Sequence, residues 1–593
     1  MNSNDDRVPA HLRQYLVEQD YSAYDEVAHA TWRFVLLHTY ERLKETAHPA
    51  YANGLHETGM SVERIPRITE MNDRLARFGW GAACVDGFIP PRAFVELQAL
   101  GILPIAADIR TLAHLAYTPA PDIIHEAAGH APILVDPDYR AYIQHFGKIG
   151  SRAFTLPEDA AVYRAIYTLS EVKEDPSSTR EQIDAANAAL AQANADCERL
   201  SESAALARLY WWTAEYGLVG NTENYKLYGA GLLSSLWESY SCHLPEVSKI
   251  PLTAECIDVG YDITRAQPQL FVAKDFAQLS DVLEQVANRL AFREGGLSAV
   301  VRAIDSRELA TMQLSSGIQI SGVLAQSGKR DEAVTWLQFA GRSALYLHSL
   351  PLSWRGAPLE SMDHRVPLGP FTSATNDWEP QSGTRLEGNV TLRYDSGAQV
   401  SGRVLDTLFG ADGEVLALIL EQVIIRIPDR PPCYEAAPYP LVFGEIVRGY
   451  AGAAHPSYHD MVPARDALVP RPRARSDTER ELLALYERAL ESWRAQGREV
   501  FASFDSIHRA LNQHFPDEWL LRWNLLESLF KLGSQHALPS SGQQLATSLR
   551  RELEALEIRY LHKEPIATGL RSLLQHYPAA HPTSGALPLG GAP

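Results

Sequence analysis

The stretch Asp122-Ile-Ile-His125-Glu126-Ala-Ala-Gly129-His130-Ala-Pro132 sets two imidazoles five residues apart, with a carboxylate beside the first. A spacing of four would stack both rings on one face of a helix, whereas five residues turn through about 140° on an ideal helix. Both rings can face one ion only if the helix ends or distorts between them. Gly129 permits that departure, and Pro132 disfavours helical geometry at Ala131. The bland alternative is a pair of helix histidines satisfied by ordinary hydrogen bonds. A second stretch, Leu209-Tyr-Trp-Trp-Thr-Ala-Glu215-Tyr-Gly217-Leu, carries one carboxylate among apolar and aromatic residues. Burying an unpaired carboxylate is costly, so Glu215 needs a cation, a metal or hydrogen-bond donors beside it. A buried Glu–Arg or Glu–backbone contact meets the same need. If the three residues meet, two neutral imidazoles and one carboxylate on one face of a ferrous ion leave about three coordination positions open. Oxygenases use those positions for dioxygen and a reductant.

These residues must be positioned by a chain of 593 residues, long enough for two or three domains. Residues 1–48 read as helical, with Tyr24, Val27, Trp32 and Val35–Leu37 supplying apolar surface. Residues 50–150 mix short helices with turns rich in Gly and Pro. Residues 156–206 are rich in helix formers and are broken by Asp175-Pro-Ser-Ser-Thr179 into a helical hairpin. From about 385 to 450 β-branched residues alternate with polar ones around the turn signals Asp395-Ser-Gly397 and Ala411-Asp-Gly413, which is hairpin or meander texture. The prolines of Val469-Pro-Arg-Pro-Arg-Ala-Arg475 mark a linker. Ser476 and Glu479 form a capping box opening a helix on which Leu482, Tyr486, Ala489 and Trp493 share a face.

With 54 basic against 73 acidic residues the formal charge is −19, which argues against nucleic acid and anionic membranes as partners. The five scattered cysteines form no CxxC pair, so a reducing, cytoplasmic setting is expected. The polar, acidic start has no secretory character.

Three segments, taken together and in this order, resemble the catalytic domain of the aromatic amino acid hydroxylases. They are Tyr117-Thr-Pro-Ala-Pro-Asp-Ile-Ile-His-Glu-Ala-Ala-Gly-His-Ala-Pro132, Tyr210-Trp-Trp-Thr-Ala-Glu-Tyr-Gly-Leu218 and Tyr228-Gly-Ala-Gly-Leu-Leu-Ser-Ser235. The resemblance spans roughly residues 20–300. It implies iron(II) ligated by His125, His130 and Glu215, and tetrahydrobiopterin or a related tetrahydropterin bound by Gly87, Ile89, Phe94, Glu126 and Tyr210. It also implies a substrate site of Arg110, Thr118, Pro119, Trp211, Gly231 and Ser234, in which Arg110 clamps the α-carboxylate and Trp211 packs on the ring. The activity implied is hydroxylation of a free aromatic amino acid by dioxygen, with L-phenylalanine preferred because Ile263 falls where tyrosine hydroxylase has an acidic residue. The alternatives are tyrosine or tryptophan hydroxylation by the same chemistry, and a metal-binding scaffold derived from the same fold. A zinc hydrolase with Glu126 as base would use the same residue types, but the five-residue spacing favours iron.

This sequence departs from the family pattern at Ala120, where animal enzymes often carry glutamate, and at Leu103 and Pro104, which replace an aromatic residue and a histidine. The expected architecture is α+β and multidomain. A mainly helical catalytic domain covers 1–300, with an insertion at about 156–206, and a connecting helical or irregular region covers 301–384. A small β-rich domain over 385–465, a C-terminal helical module over 477–576 and a disordered tail over 577–593 complete it. A homo-oligomer formed through the C-terminal region is expected.

Overall fold

The computed structural model describes residues 7–573 except 86, 88, 116–120, 175–177, 264–265, 375–377, 380–382, 436–437, 462–475, 496–498, 536, 560–565, 568–569 and 572. The linker at 469–475 and the tail from 577 lie outside the described residues.

Asp25 opens the first long helix, Glu26–Thr46, by accepting the Ala28 N–H at 2.8 Å. Trp32, Phe34, Val35 and Leu43 bury its core-facing side. The parallel strands Gly81–Val85 and Ile102–Ala106 are joined by the helix Pro91–Ala99, which begins on a proline suited to a first helical turn. A four-stranded sheet of Tyr225–Leu227, Leu218–Gly220, Gln269–Ala273 and Ser248–Pro251 closes the other side. The insertion forms the helices Pro157–Glu174 and Arg180–Ala195, the second opened by a Thr179/Gln182 capping box.

Beyond the helix Gly296–Ser306 the chain departs from expectation. Residues 301–384, read as a helical or irregular connection, instead supply most of a seven-stranded antiparallel sheet. Its backbone is the long hairpin Ile318–Arg330 and Ala333–Leu347, extended on one side by Leu309–Leu314 and then Ile446–Ala451. A second, six-stranded sheet is built on Gly388–Tyr394, Gln399–Phe409 and Val415–Arg426. One apolar cluster runs from the helix Gly296–Ser306 through the first sheet to Leu416, Ala417 and Ile419 of the second.

The C-terminal helices Asp477–Ala495, Val500–His514, Leu520–Gln535 and Ser540–Arg559 do not form a separate core. Their buried residues join the same cluster as those of the first 290 residues. The capping box is present: the Glu479 N–H reaches Ser476 Oγ at 3.2 Å and the Ser476 N–H reaches Glu479 Oε2 at 2.7 Å. Among the described residues no helix is long and apolar enough to cross a membrane.

Candidate metal centre

Residues His125–His130 form a π-helical turn, and Trp211–Glu215 form another. A π turn pairs residue i with i+5, which is the offset between the two histidines. The helix therefore neither breaks at Gly129 nor ends at Pro132. It widens and continues as Ala131–Ile133, with Pro132 in its first turn. Gly129 serves a different purpose from the one its flexibility suggests: a Cβ there would come within 2.8 Å of the Ala230 carbonyl. Its missing side chain lets the helix Ala230–Ser234 pack against the histidine turn.

The two imidazoles lie 5.0 Å apart, nearly perpendicular at 83°. Glu215 Oε2 is 3.2 Å from His125 Nε2, and Glu215 Oε1 is 3.2 Å from His130 Nε2. Two ligands bound at right angles with bonds of about 2.1 Å stand about 3 Å apart, so both separations fit a shared ion. Among the described residues this is the one trio of His, Cys, Asp or Glu ligand atoms within 4.8 Å of one another. Ser234 Oγ donates to the Ala230 carbonyl at 2.7 Å and lies 3.1 Å from His125 Nδ1, so it accepts the Nδ1 proton. In the neutral ring that leaves the Nε2 lone pair facing a carboxylate oxygen. Two acceptors in such contact require a proton or a cation between them, and a second-sphere acceptor on the far nitrogen is the usual companion of a metal-binding histidine. The donor set fits an iron(II) ion.

Burial pushes the Glu215 carboxyl up, but the neighbouring His130 and His125 outweigh this and hold it well below the usual carboxylate range. Glu126 goes the other way. Burial pushes it up to about 8, with Glu215 and Asp122 adding to the rise and His130 opposing it. Its Oε2 is buried without a hydrogen-bond partner among the described residues.

Arg110 is fully buried. Its Nε and Nη2 make a fork onto Asp122 at 2.8 Å each, and Nη1 donates to the Ser234 carbonyl at 3.0 Å. Three of its five side-chain N–H groups are thus used, leaving one on each terminal nitrogen, which is the geometry a carboxylate needs. Burial raises the Asp122 carboxyl, and the Arg110 charge and hydrogen bonds overturn this and lower it. Asp122 was not anticipated as a site residue. It also accepts the His125 N–H at 3.0 Å, a local i,i+3 pattern that its place three residues before His125 could have signalled.

Trp211 stacks on Tyr261 at 4.2 Å and donates its indole N–H to Gln267 Oε1 at 3.3 Å. Gly231 is buried behind the Tyr216 ring, where a Cβ would come within 2.7 Å of it. Gly87 has a left-handed φ of 59° in the turn that leads to the buried Ile89. Phe94 meets the Tyr210 ring edge-on at 5.9 Å, and Tyr210 lies 6.3 Å from the His130 ring. Thr118, Pro119 and Ala120 lie outside the described residues.

Sequence reading also missed Glu238, which carries no local motif. It is buried, accepts the Tyr216 hydroxyl at 2.7 Å and lies 3.3 Å from the Gln267 main-chain N–H. Burial raises its carboxyl to about 7, against the two hydrogen bonds. A carboxyl whose folded-state pKa is raised stabilises the fold fully below the unfolded value and loses that contribution as pH rises through the folded value. Between about pH 4.5 and 7 the native chain should therefore lose up to about 3 kcal/mol that a Glu238→Gln variant does not lose. Thermal midpoints measured across that window check it: equal slopes for the two proteins would refute the raised carboxyl.

Residues 15–168 and 186–294 match the family described as biopterin-dependent aromatic amino acid hydroxylase. The phenylalanine-4-hydroxylase of Pseudomonas aeruginosa is 30% identical over 264 residues, covering 44% of this chain and 84% of the relative. That of Mesorhizobium japonicum is 27% identical over 274 residues, covering 46% of this chain and 83% of the relative. A crystal structure of Chromobacterium violaceum phenylalanine hydroxylase with bound oxidised Fe(III) is 26% identical, covers 48% of this chain and 88% of that one, and has a TM-score of 0.38.

Proposed function

Because this chain belongs to the biopterin-dependent aromatic amino acid hydroxylases, we propose that it converts L-phenylalanine to L-tyrosine, with iron(II) held by His125, His130 and Glu215. The observation that carries the reading is the convergence of these three side chains at 3.2 Å contacts, with Ser234 fixing the His125 tautomer. Iron(II) and a tetrahydropterin together supply reductive activation of dioxygen, of which one atom enters the ring and the other is reduced. The protein's part is to bind, orient and exclude water. Arg110, rigid in its fork to Asp122, takes the amino acid's carboxylate on its two remaining N–H groups. Ser234 and Gly231 border that charged end. Trp211, braced by Tyr261, walls the aromatic ring. Phe94, Tyr210, Gly87 and Ile89 line the pterin side, with the buried Glu126 carboxyl, 4.0 Å from His130 Nε2, on the same side. Holding the reacting groups in one geometry is catalysis by positioning.

Phenylalanine as substrate is supported by the names of the relatives and by the apolar Ile263, half-buried in the loop that carries Tyr261. All five cysteines are free thiols, which supports a reducing, cytoplasmic setting. The test is anaerobic reconstitution with iron(II), then admission of oxygen with tetrahydrobiopterin and each of the three aromatic amino acids. Tyrosine formed from phenylalanine at the highest kcat/KM is expected. An apolar pocket rejects an added hydroxyl only weakly, by roughly 100-fold at most, so slow turnover of tyrosine is compatible. A preference for tyrosine or tryptophan would move the substrate assignment, and no product from any of them would remove the activity.

A further inference from the structure

The helix Pro91–Ala99 shows two opposed faces. Residues four apart share a face and residues two apart nearly oppose each other. Phe94 and Gln98 point to Tyr210: the rings meet at 5.9 Å, and Gln98 Nε2 donates to the Tyr210 hydroxyl at 2.7 Å. Arg92 and Glu96 form the other face. There Arg92 Nε donates to Glu96 Oε1 at 3.0 Å, and His11 Nε2 donates to Glu96 Oε2 at 2.8 Å. The His11 ring in turn stacks on His459 at 4.0 Å and 18°.

His459 lies in the segment that leaves the strand-rich region, Pro456–Met461. Just upstream, Gly452 presses bare backbone against Arg92, where a Cβ would come within 2.0 Å of Nη2. From the other end of the chain, Val17 N–H donates to the Cys84 carbonyl at 3.0 Å and Leu16 bridges Val85. Val8 and Leu12 join Val85, Ile89, Ala93 and Leu97 in one apolar cluster. Two distant segments thus grip the strand and the helix on either side of Gly87 and Ile89. Both His11 and His459 lie outside the residues that match the family.

We propose that Glu96, His11 and His459 form a clasp that positions the pterin-facing side of this helix, so that the region beyond residue 300 tunes pterin affinity; this rests on the pterin reading of Gly87, Ile89 and Phe94. Glu96 is a positioning residue, acting through the helix on Phe94. Its carboxyl is raised by burial and brought below its ordinary value by His11 and Arg92, so both partners are needed to keep the charge in place. Loosening the outer face lets the helix shift, and a displacement of about 1 Å at a binding wall can cost up to roughly 100-fold.

The test uses the full iron-loaded chain and measures the Kd of tetrahydrobiopterin by anaerobic calorimetry, beside the KM for phenylalanine and the thermal midpoint. Glu96→Gln and His459→Ala are each expected to weaken pterin binding about tenfold, with the phenylalanine KM within about twofold of the parent. The double variant should be little weaker than either single one, because both act on one contact chain. His459→Phe, which keeps a ring against His11, should restore parental affinity. Phe94→Ala serves as the control for the pterin reading. If it leaves the pterin Kd unchanged, that reading falls and the clasp with it. If Phe94→Ala weakens binding while folded Glu96→Gln and His459→Ala do not, or if their pterin and phenylalanine constants worsen together with a fallen midpoint, the clasp alone is overturned.

Discussion

Glu215→Gln should abolish iron retention and hydroxylation together, each by more than about 100-fold, and should leave the iron-free protein less stable than its parent at neutral pH. Outer-shell partners of metal ligands are worth about 10- to 100-fold, so a ligand itself should exceed that. The amide keeps the shape of the carboxyl and removes its charge. The sign of the stability effect follows from the contacts at 3.2 Å: both histidines hold the Glu215 carboxyl below its ordinary range, and a carboxyl so depressed stabilises the fold above its unfolded value. A glutamine amide carries no charge, so that stabilisation is lost at neutral pH. Iron content after anaerobic reconstitution and dialysis, product formation, and the midpoint of the apoprotein are the three readings. A variant that retains stoichiometric iron would remove Glu215 from the metal site. One whose apoprotein melts at the parental midpoint or higher would refute the depressed carboxyl.

That site was legible in the sequence because its chemistry is concentrated in two short stretches, His125–His130 and Trp211–Glu215. What the residues could not disclose is the backbone form that makes them meet. A spacing of five is wrong for an α-helix and fits an i→i+5 turn, and nothing in Glu126-Ala-Ala-Gly129 distinguishes the two in advance. Gly129 was noticed for its freedom, yet its place is set by the Ala230 carbonyl from a helix a hundred residues later. The same non-local character hid Glu238, whose partners lie 22 and 29 residues away, and the Glu96 clasp, whose partners are His11 and, through it, His459. The strand-rich region was half read. Residues 388–426 alternate and are punctuated by turn signals, and they are strands. The strand Ile318–Arg330 alternates only over Ile318-Gln319-Ile320-Ser321 before Gly322 and the polar end Gln326–Arg330 interrupt the pattern, and its first five residues are all buried, so its sequence passes for irregular. The capping box at Ser476 was legible because it is local.

Trp523→Ala should destabilise the catalytic region and the C-terminal helices as one unit, by about 3–5 kcal/mol. Trp523 is almost wholly buried and meets Phe34 of the first long helix at 4.9 Å and His38 at 5.4 Å, while Trp519 meets the same Phe34 at 5.0 Å. Such aromatic pairs add about 0.5–1.5 kcal/mol beyond their burial. The helix bearing Trp523 is held in turn by the buried Arg522, which donates to Glu552 at 3.1 Å and to Asn512 at 2.8 Å, so it cannot easily move to fill a cavity. Tyr486 fixes the adjoining turn through Glu518 at 2.7 Å. The apolar cluster is continuous from Phe34 through Trp519 and Trp523 to Leu549 and Leu553, which is what couples the two regions. Denaturant unfolding followed by the temperature- or urea-dependent loss of iron binding, beside far-ultraviolet dichroism, reads both regions at once. Both midpoints should fall together in Trp523→Ala. Phe34→Ala should lower them by a similar amount, and the pair should be less than additive because the two rings share one contact. Loss of the C-terminal helical signal with the iron midpoint unchanged would mean that these helices merely lean on the catalytic domain, and the shared core would not be a folding unit.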